Sequence, residues 1–146
     1  MKQQLYKILI LITIIFSFSS CLLEDEDEIS SQDLLLGKWQ TIAYTENNIV
    51  PNDFTRCDLS RTMEFFDNNI TFIEYILESD TESNCVFDET YTFQYEIVND
   101  NTFKIIRTNG QEINVEILEL TTSILKVKAI YNNGNTVKKE IFTKIN

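Results

Sequence analysis

The chain opens on one apolar run and continues as short alternating segments. Ile8 to Phe18 is apolar apart from Thr13 and Ser17. That length suits the hydrophobic region of a signal peptide and is short for a spanning helix of about 20 residues. Glu24-Asp25-Glu26-Asp27-Glu28 follows, five adjacent carboxylates that repel one another and stay in water. Ser31 to Gly37 predicts one short helical turn that ends at the glycine. Beyond it, β-forming residues recur between polar breaks. They predict strands at Lys38–Thr45, Leu59–Phe66, Ile70–Glu78, Val86–Val98, Thr102–Thr108, Glu112–Leu120, Ser123–Tyr131 and Thr136–Ile145. At Asn109-Gly110 a two-residue hairpin turn is expected, with positive φ at both positions.

Alternation gives these strands an apolar face and a wet face. Tyr91, Phe93, Tyr95 and Ile97 oppose Thr92, Gln94 and Glu96. Ile113, Val115 and Ile117 oppose Asn114 and Glu116, and Leu125, Val127 and Ala129 oppose Lys126 and Lys128. Thr71–Leu77 and Ile141–Ile145 alternate less cleanly, so Phe72 and Phe142 are expected on an outer patch or against the helical turn. Eight strands joined by tight turns predict an all-β, antiparallel up-and-down meander. Closing it into a barrel removes the exposed edges.

The N-terminus adds an address. Lys2 and Lys7 precede the apolar run, and Ser19 and Ser20 sit directly before Cys21. Phe18-Ser19-Ser20-Cys21 resembles a bacterial lipobox, with Phe18 where Leu is usual. The resemblance implies a diacylglycerol on the Cys21 thiol. Acyl chains insert in a bilayer at about 0.8 kcal/mol per buried methylene. Ordinary secretory cleavage near Ser20 is the alternative. The acidic run resembles the signal that follows the lipidated cysteine in surface-exposed lipoproteins of Bacteroidota, and a plain solvated tether is its alternative. The expected organisation is a signal peptide at 1–20, a lipidated cysteine and acidic tether at 21–32, and one barrel domain at 33–146. The expected location is the outer membrane, exposed on the cell surface, with the lipid on Cys21 as the membrane contact.

Removing residues 1–20 takes two of the twelve basic residues and none of the 23 acidic ones, so the net charge moves from −11 to −13. Such a polyanion repels phosphate backbones, which sets nucleic acid aside as a partner. Three cysteines are an odd number for an exported chain. With Cys21 lipidated, Cys57 and Cys85 remain as a pair that an oxidising compartment would join. A metal pair and two buried free thiols are the alternatives. The metal reading is the weaker, since the chain has no His and no third Cys near the pair.

Catalysis finds little support in the residues. Without His there is no histidine triad and no zinc site of the usual kinds. Three scattered Gly exclude a phosphate-binding loop and a dinucleotide fingerprint. Asp88-Glu89 is a solvated face rather than an acid–base pair in a chain this acidic. Asp80 to Asp88 lacks the spacing of a calcium loop. No catalytic residue, metal or cofactor is therefore expected, and the chain is read as a non-enzyme and a monomer.

At Leu35-Leu36-Gly37-Lys38-Trp39 the chain resembles the first strand of a lipocalin, in which a Gly-x-Trp closes the barrel floor. It is similar in particular to the lipocalin-like domains of Bacteroidota lipoproteins. The stretches that carry the likeness are Cys57, Thr62-Met63-Glu64-Phe65, Asp67-Asn68-Asn69-Ile70-Thr71-Phe72 and Cys85. The Asp-Gly turn of that family is Asn-Asn here. The Thr-Asp-Tyr motif of lipocalins is absent, and no arginine follows the last strand to stack on Trp39, so that Lys144 alone could approach it. The resemblance implies a barrel with Trp39 across its floor and a ligand cavity or a filled core above. One Trp in the chain argues against an avidin-like biotin pocket.

Phe65, Tyr75, Tyr91, Phe93, Tyr95 and Tyr131 fall on expected inward positions and are the candidate ligand-binding residues. Phe54 joins them from Glu46–Asp58, the longest loop, which in lipocalins covers the barrel mouth. An eight-stranded barrel is just wide enough either to be filled by side chains or to hold one small ligand. Two functions follow. One is binding of a small, partly apolar molecule. The other is a filled barrel whose surface engages a protein or glycan. For the anchor, Cys21→Ala is expected to abolish acylation and release the chain from the membrane fraction. A wild-type chain that is soluble with an unmodified Cys21 would sink the lipoprotein reading.

Overall fold

The computed structural model describes residues 30–51, 55–78, 84–131 and 134–145. Cys21, the acidic run and Phe54 lie outside the described residues. One helical turn, α1 (Ser31–Leu35), precedes strands β1 (Gly37–Glu46), β2 (Thr62–Phe66), β3 (Asn69–Leu77), β4 (Cys85–Asn99), β5 (Thr102–Ile106), β6 (Glu112–Leu120), β7 (Ile124–Tyr131) and β8 (Thr136–Ile145). Each strand pairs with the next, and β1 also pairs antiparallel with β8, so the sheet is a closed barrel in sequence order. This is the expected meander.

Local chemistry adjusts several boundaries. Asp58–Ser60 is a 3-10 turn rather than the start of β2. Thr55 holds it, because its backbone N–H and its hydroxyl both donate to the Asp58 carboxylate, at 2.6 and 2.9 Å. The helical turn ends at Leu35, and Gly37 already belongs to β1. Only glycine suits that position. Its φ is +110°, and an added Cβ would stand 3.1 Å from Lys144 Cε. The Asn109-Gly110 turn is not the expected two-residue form. Gly110 N–H donates to Arg107 O and Arg107 N–H to Gln111 O, both at 2.9 Å, and among these loop residues only Gly110 has positive φ. A three-residue loop with glycine in the left-handed region results, and it ends β5 at Ile106.

Phe72 and Phe142, expected on an outer patch or against the helical turn, both face inward. Phe142 is 2% exposed and joins the core, because β8 closes against β1 and turns that face toward the interior. Phe72 pairs with Met63 and Tyr91 and packs against the Phe93 ring at 6.1 Å. Tyr75 moves the other way. Between Ile73 and Tyr75 the register shift places its additional residue on β4, so β3 alternates without interruption. Tyr75 therefore shares the outer face with Ile73, opposite Ile70 and Phe72.

The core gathers at one end. Trp39, Phe65, Ile70, Phe103, Leu125 and Phe142 are essentially solvent-free there. Phe65, Tyr95 and Phe103 meet edge to face with centroids 5.1 to 6.3 Å apart. α1 covers this end and buries Leu35. The Trp39 indole N–H donates to Leu35 O at 2.8 Å. Lys144 lies over the same indole, its Nζ 5.0 Å from the ring centroid, and donates to Leu34 O at 3.0 Å. One cation thus ties the last strand to the first strand and to the helical turn. Farther along, a disulfide joins Cys57 to Cys85 with Cα atoms 5.4 Å apart. It fixes the end of the β1–β2 connection to the first residue of β4, and in the chain-entropy account such a loop contributes about 3.5 kcal/mol.

Outside, Lys104 bridges Glu96 and Glu112, while Lys126 and Lys128 pair with Glu119 and Glu116. Exposed pairs of this kind contribute at most about 1 kcal/mol each. Trp39 carries far more. Trp39→Ala is expected to cost about 3–5 kcal/mol through lost burial and the cavity left behind, read as a lower urea midpoint. The wild-type emission maximum should be blue-shifted, since the sole tryptophan is fully buried. An emission like that of free tryptophan in water would contradict this floor.

Candidate ligand site in the upper barrel

Above the floor the interior changes character. Phe93 points inward beside Ile70, and Tyr91 beside Phe72. The Tyr91 and Phe93 rings lie nearly parallel, with centroids 6.3 Å apart. Phe72, Phe93 and Tyr131 pack on the core yet stay only partly buried.

Charges appear at the same level, on positions that continue the inward rows. Arg61 lies two residues before Met63, Glu140 and Lys138 two and four before Phe142, and Arg107 two after Ile105. A register shift between Thr41 and Ala43 in β1 brings Tyr44 opposite Glu140 and Glu46 opposite Lys138. Arg61 and Glu140 form an ion pair with side chains about four-fifths buried, at 21% and 19% exposure. The Arg61 guanidinium also lies 5.8 Å from the Tyr44 ring centroid. Lys138 stands between Tyr44 and Tyr131, its Nζ 5.3 and 5.5 Å from the two centroids.

Tyrosine ionisation responds to these surroundings. Tyr44 donates to Glu46 Oε2 at 2.8 Å. Burial first, then the bond to Glu46 and the charges of Glu46 and Glu140, raise its pKa far above the usual phenol range, against the pull of Arg61. Tyr131 is raised by burial and Glu140, and lowered by Arg107 and Arg61. Both hydroxyls therefore remain protonated near neutral pH, as neutral donors beside cations. The site contains no histidine to move a proton at neutral pH.

The candidates named from the sequence separate into distinct places. Phe65 and Tyr95 are buried in the floor, and the Tyr95 hydroxyl has no hydrogen-bond partner among the described residues. Tyr91 and Phe93 stack on β4, while Tyr131 lies on β7 beside the Lys138 ammonium. Tyr75 is on the outer wall. Sequence reasoning missed Tyr44, Arg61, Arg107, Lys138 and Glu140. Their two-residue spacing from core positions was a usable signal for all but Tyr44, whose face the bulge decides. A shallow depression on the outer wall, lined by Glu112, Asn114, Glu116 and Lys128, is a solvated face laced by the Lys128–Glu116 pair.

A closed eight-stranded meander, sealed at one end by a tryptophan and a helical turn, defines a calyx-type barrel. The model of the lipocalin-like domain family matches residues 35–127. The chain belongs to that family. Among solved structures, bovine odorant-binding protein in complex with a selenium-containing odorant aligns at 15% identity and a TM-score of 0.48, covering 79% of this chain and 73% of that one. The bovine protein in complex with undecanal aligns at 18% identity and a TM-score of 0.45, covering 77% and 72%. The search of curated proteins found no match.

The Arg61–Glu140 pair offers a direct test of this interior. Arg61→Met leaves a mostly buried carboxylate without its partner and is expected to cost about 3 kcal/mol. Arg61→Met with Glu140→Leu removes both charges and should recover most of that loss. Chemical denaturation of both variants checks it, and equal stability of the single variant and wild type would place the pair in open solvent.

Proposed function

We propose that the protein is a non-catalytic binder of a small, partly apolar molecule, held in the upper half of the barrel. The half-buried aromatic band of Phe72, Tyr91, Phe93 and Tyr131 carries this reading, because these rings face inward without being fully covered. Family membership supports a barrel of the right kind. Part of the same proposal is a cell-envelope setting, with lipid on Cys21 and display on the outer-membrane surface. The placement of α1 suits it. The Ser31 hydroxyl donates to Asp100 O at 3.1 Å in the β4–β5 turn, so the N-terminal segment meets the barrel at its sealed end. A tether from Cys21 would then leave the opposite end free of the attachment point.

A second reading has its own observation. Ile49, Val50 and Phe87 are 69%, 55% and 60% exposed, toward the end opposite the floor. Such residues suit contact with a protein or glycan partner above a filled barrel. Titration with the uncharged fluorophore N-phenyl-1-naphthylamine separates the two. Binding in the upper barrel predicts enhanced emission on addition of the protein. Phe93→Ala should then weaken the complex about fivefold, or ~1 kcal/mol. A filled barrel predicts no uptake, together with a stability loss of about 3–5 kcal/mol for Phe93→Ala.

A further inference from the structure

The upper part of β4 is bonded on one side only. β4 runs from Cys85 to Asn99, but β5 ends at Ile106, opposite Gln94, and pairs with nothing above it. On the other side β3 accompanies β4 all the way up to Cys85. Tyr95 N–H donates to Asn68 O at 2.9 Å, toward β3. Peptide groups alternate in direction along a strand. Tyr91 and Phe93 therefore also turn theirs to β3, and Thr90 and Thr92 turn theirs away. The register shift between Ile73 and Tyr75 resets the alternation. Beyond it Glu78 N–H donates to Asn84 O at 3.1 Å, so Phe87 also turns its peptide groups outward. Thr90 and Thr92 are exposed, and on that side they make no backbone hydrogen bond among the described residues.

A sheet edge with unpaired N–H and C=O groups is a template for one more strand. This edge spans Phe87 to Phe93, about 20 Å at ~3.4 Å per residue. It is already in place for pairing. The Cys57–Cys85 disulfide fastens the start of β4, and β3 backs its upper length, so ordering costs fall on the partner alone. Charge decides which partner. Glu74 faces the bulge at Asp88 and Glu89, and both Glu74 and Asp88 lie near enough to Glu89 for their charges to repel. A second copy of the chain brings a net charge of −11 to these acids, which guard the edge against self-pairing. A segment carrying Lys or Arg meets attraction instead. At the lower end stands Arg107, turned onto Gln111 Oε1 at 3.2 Å, and it favours no second cation there.

We propose that this edge of β4 takes an extended basic segment of another protein, which continues the line of β5 as an added strand antiparallel to β4. Its backbone pairs with Thr92, Thr90 and Phe87. Basic side chains at its C-terminal end meet Asp88, Glu89 and Glu74. Alternate side chains fall beside Tyr91 and Phe93 on the inner face, where apolar residues suit them. The edge exists whether or not the barrel holds a small molecule, so this contact is separate from ligand binding.

Amide hydrogen exchange followed by NMR tests the edge in the wild-type protein. Exchange should be fast at Thr90 and Thr92 and slow at Tyr91 and Phe93. Slow exchange at both threonines would mean a covered edge and overturns the proposal. The binding probe is the peptide Val-Thr-Val-Thr-Lys-Lys, blocked at both ends. It should shift and protect the Thr90 and Thr92 amides. Gln in place of both its lysines should weaken binding about fivefold, the scale of exposed ion pairs, and Glu in their place should abolish it. Thr92→Pro removes an N–H that bonds to nothing in the fold. It should leave the urea midpoint unchanged and weaken the lysine peptide at least about tenfold. Asp88→Asn with Glu89→Gln alters no backbone group and should give the fivefold loss from the protein side. No shifts, shifts that spare Thr90 and Thr92, or equal binding of the lysine and glutamate peptides overturn the proposal. A wild-type dimer in sedimentation that Thr92→Pro abolishes also overturns it, by giving the edge to a second copy.

Discussion

The barrel depends on how its first strand is locked at the sealed end. Trp39 sits where β1 must meet both β2 and β8, and its indole N–H has one acceptor, the Leu35 carbonyl of the helical turn. That bond fixes α1 under the barrel. Lys144 covers the ring from β8 and binds the neighbouring Leu34 carbonyl, so closure of the sheet and capping of its floor are one event. Gly37 makes the approach possible, because a side chain there would meet Lys144 in a backbone conformation that disfavours it. Where an arginine after the last strand would serve in a lipocalin, this chain uses a lysine within the strand. The ammonium supplies charge and donors without the planar fork of a guanidinium.

From that floor upward, polarity rises within a single interior. Rings and aliphatic side chains fill the lowest level, and half-buried aromatics share the level above with an ion pair, a lysine between tyrosines and a second arginine. Burying charge rarely adds stability over apolar packing of equal volume. A barrel selected only for stability would repeat Leu and Val up every inward row. The rows instead pass from Phe142 to Glu140 and Lys138, and from Phe65 through Met63 to Arg61. Those departures cluster at one level, on β8 and the approach to β2, and meet there around Tyr44 of β1.

The disulfide and the β1 bulge serve this upper level in different ways. Cys57–Cys85 fastens the segment that leads into β2 to the start of β4, holding the upper ends of separate strands in relation. The bulge resets the face of β1, so the strand that delivers Trp39 to the floor also delivers Tyr44 to the charged level. Without it, alternation would carry Ala43 inward and Tyr44 out.

Much of the architecture was legible in the residues themselves. Alternation in Tyr91–Ile97, Ile113–Ile117 and Leu125–Ala129 specifies an inner face whatever the partner strands, because a one-residue slip would expose every apolar side chain. The pairing of Cys57 with Cys85 was legible from cysteine number and the expected compartment. The charged interior was not. A lysine or glutamate in an alternating strand reads as solvent-facing, since an isolated charge is costly to bury. Only the assembled barrel brings Arg61 from β2's approach to Glu140 on β8, and Lys138 between tyrosines of β1 and β7. Phe72, Phe142 and Tyr75 were misplaced for a related reason. Their faces depend on strand register, bulge position and closure of β1 on β8. Those are decided by which strands meet, and sequence periodicity within one strand carries no record of its neighbours.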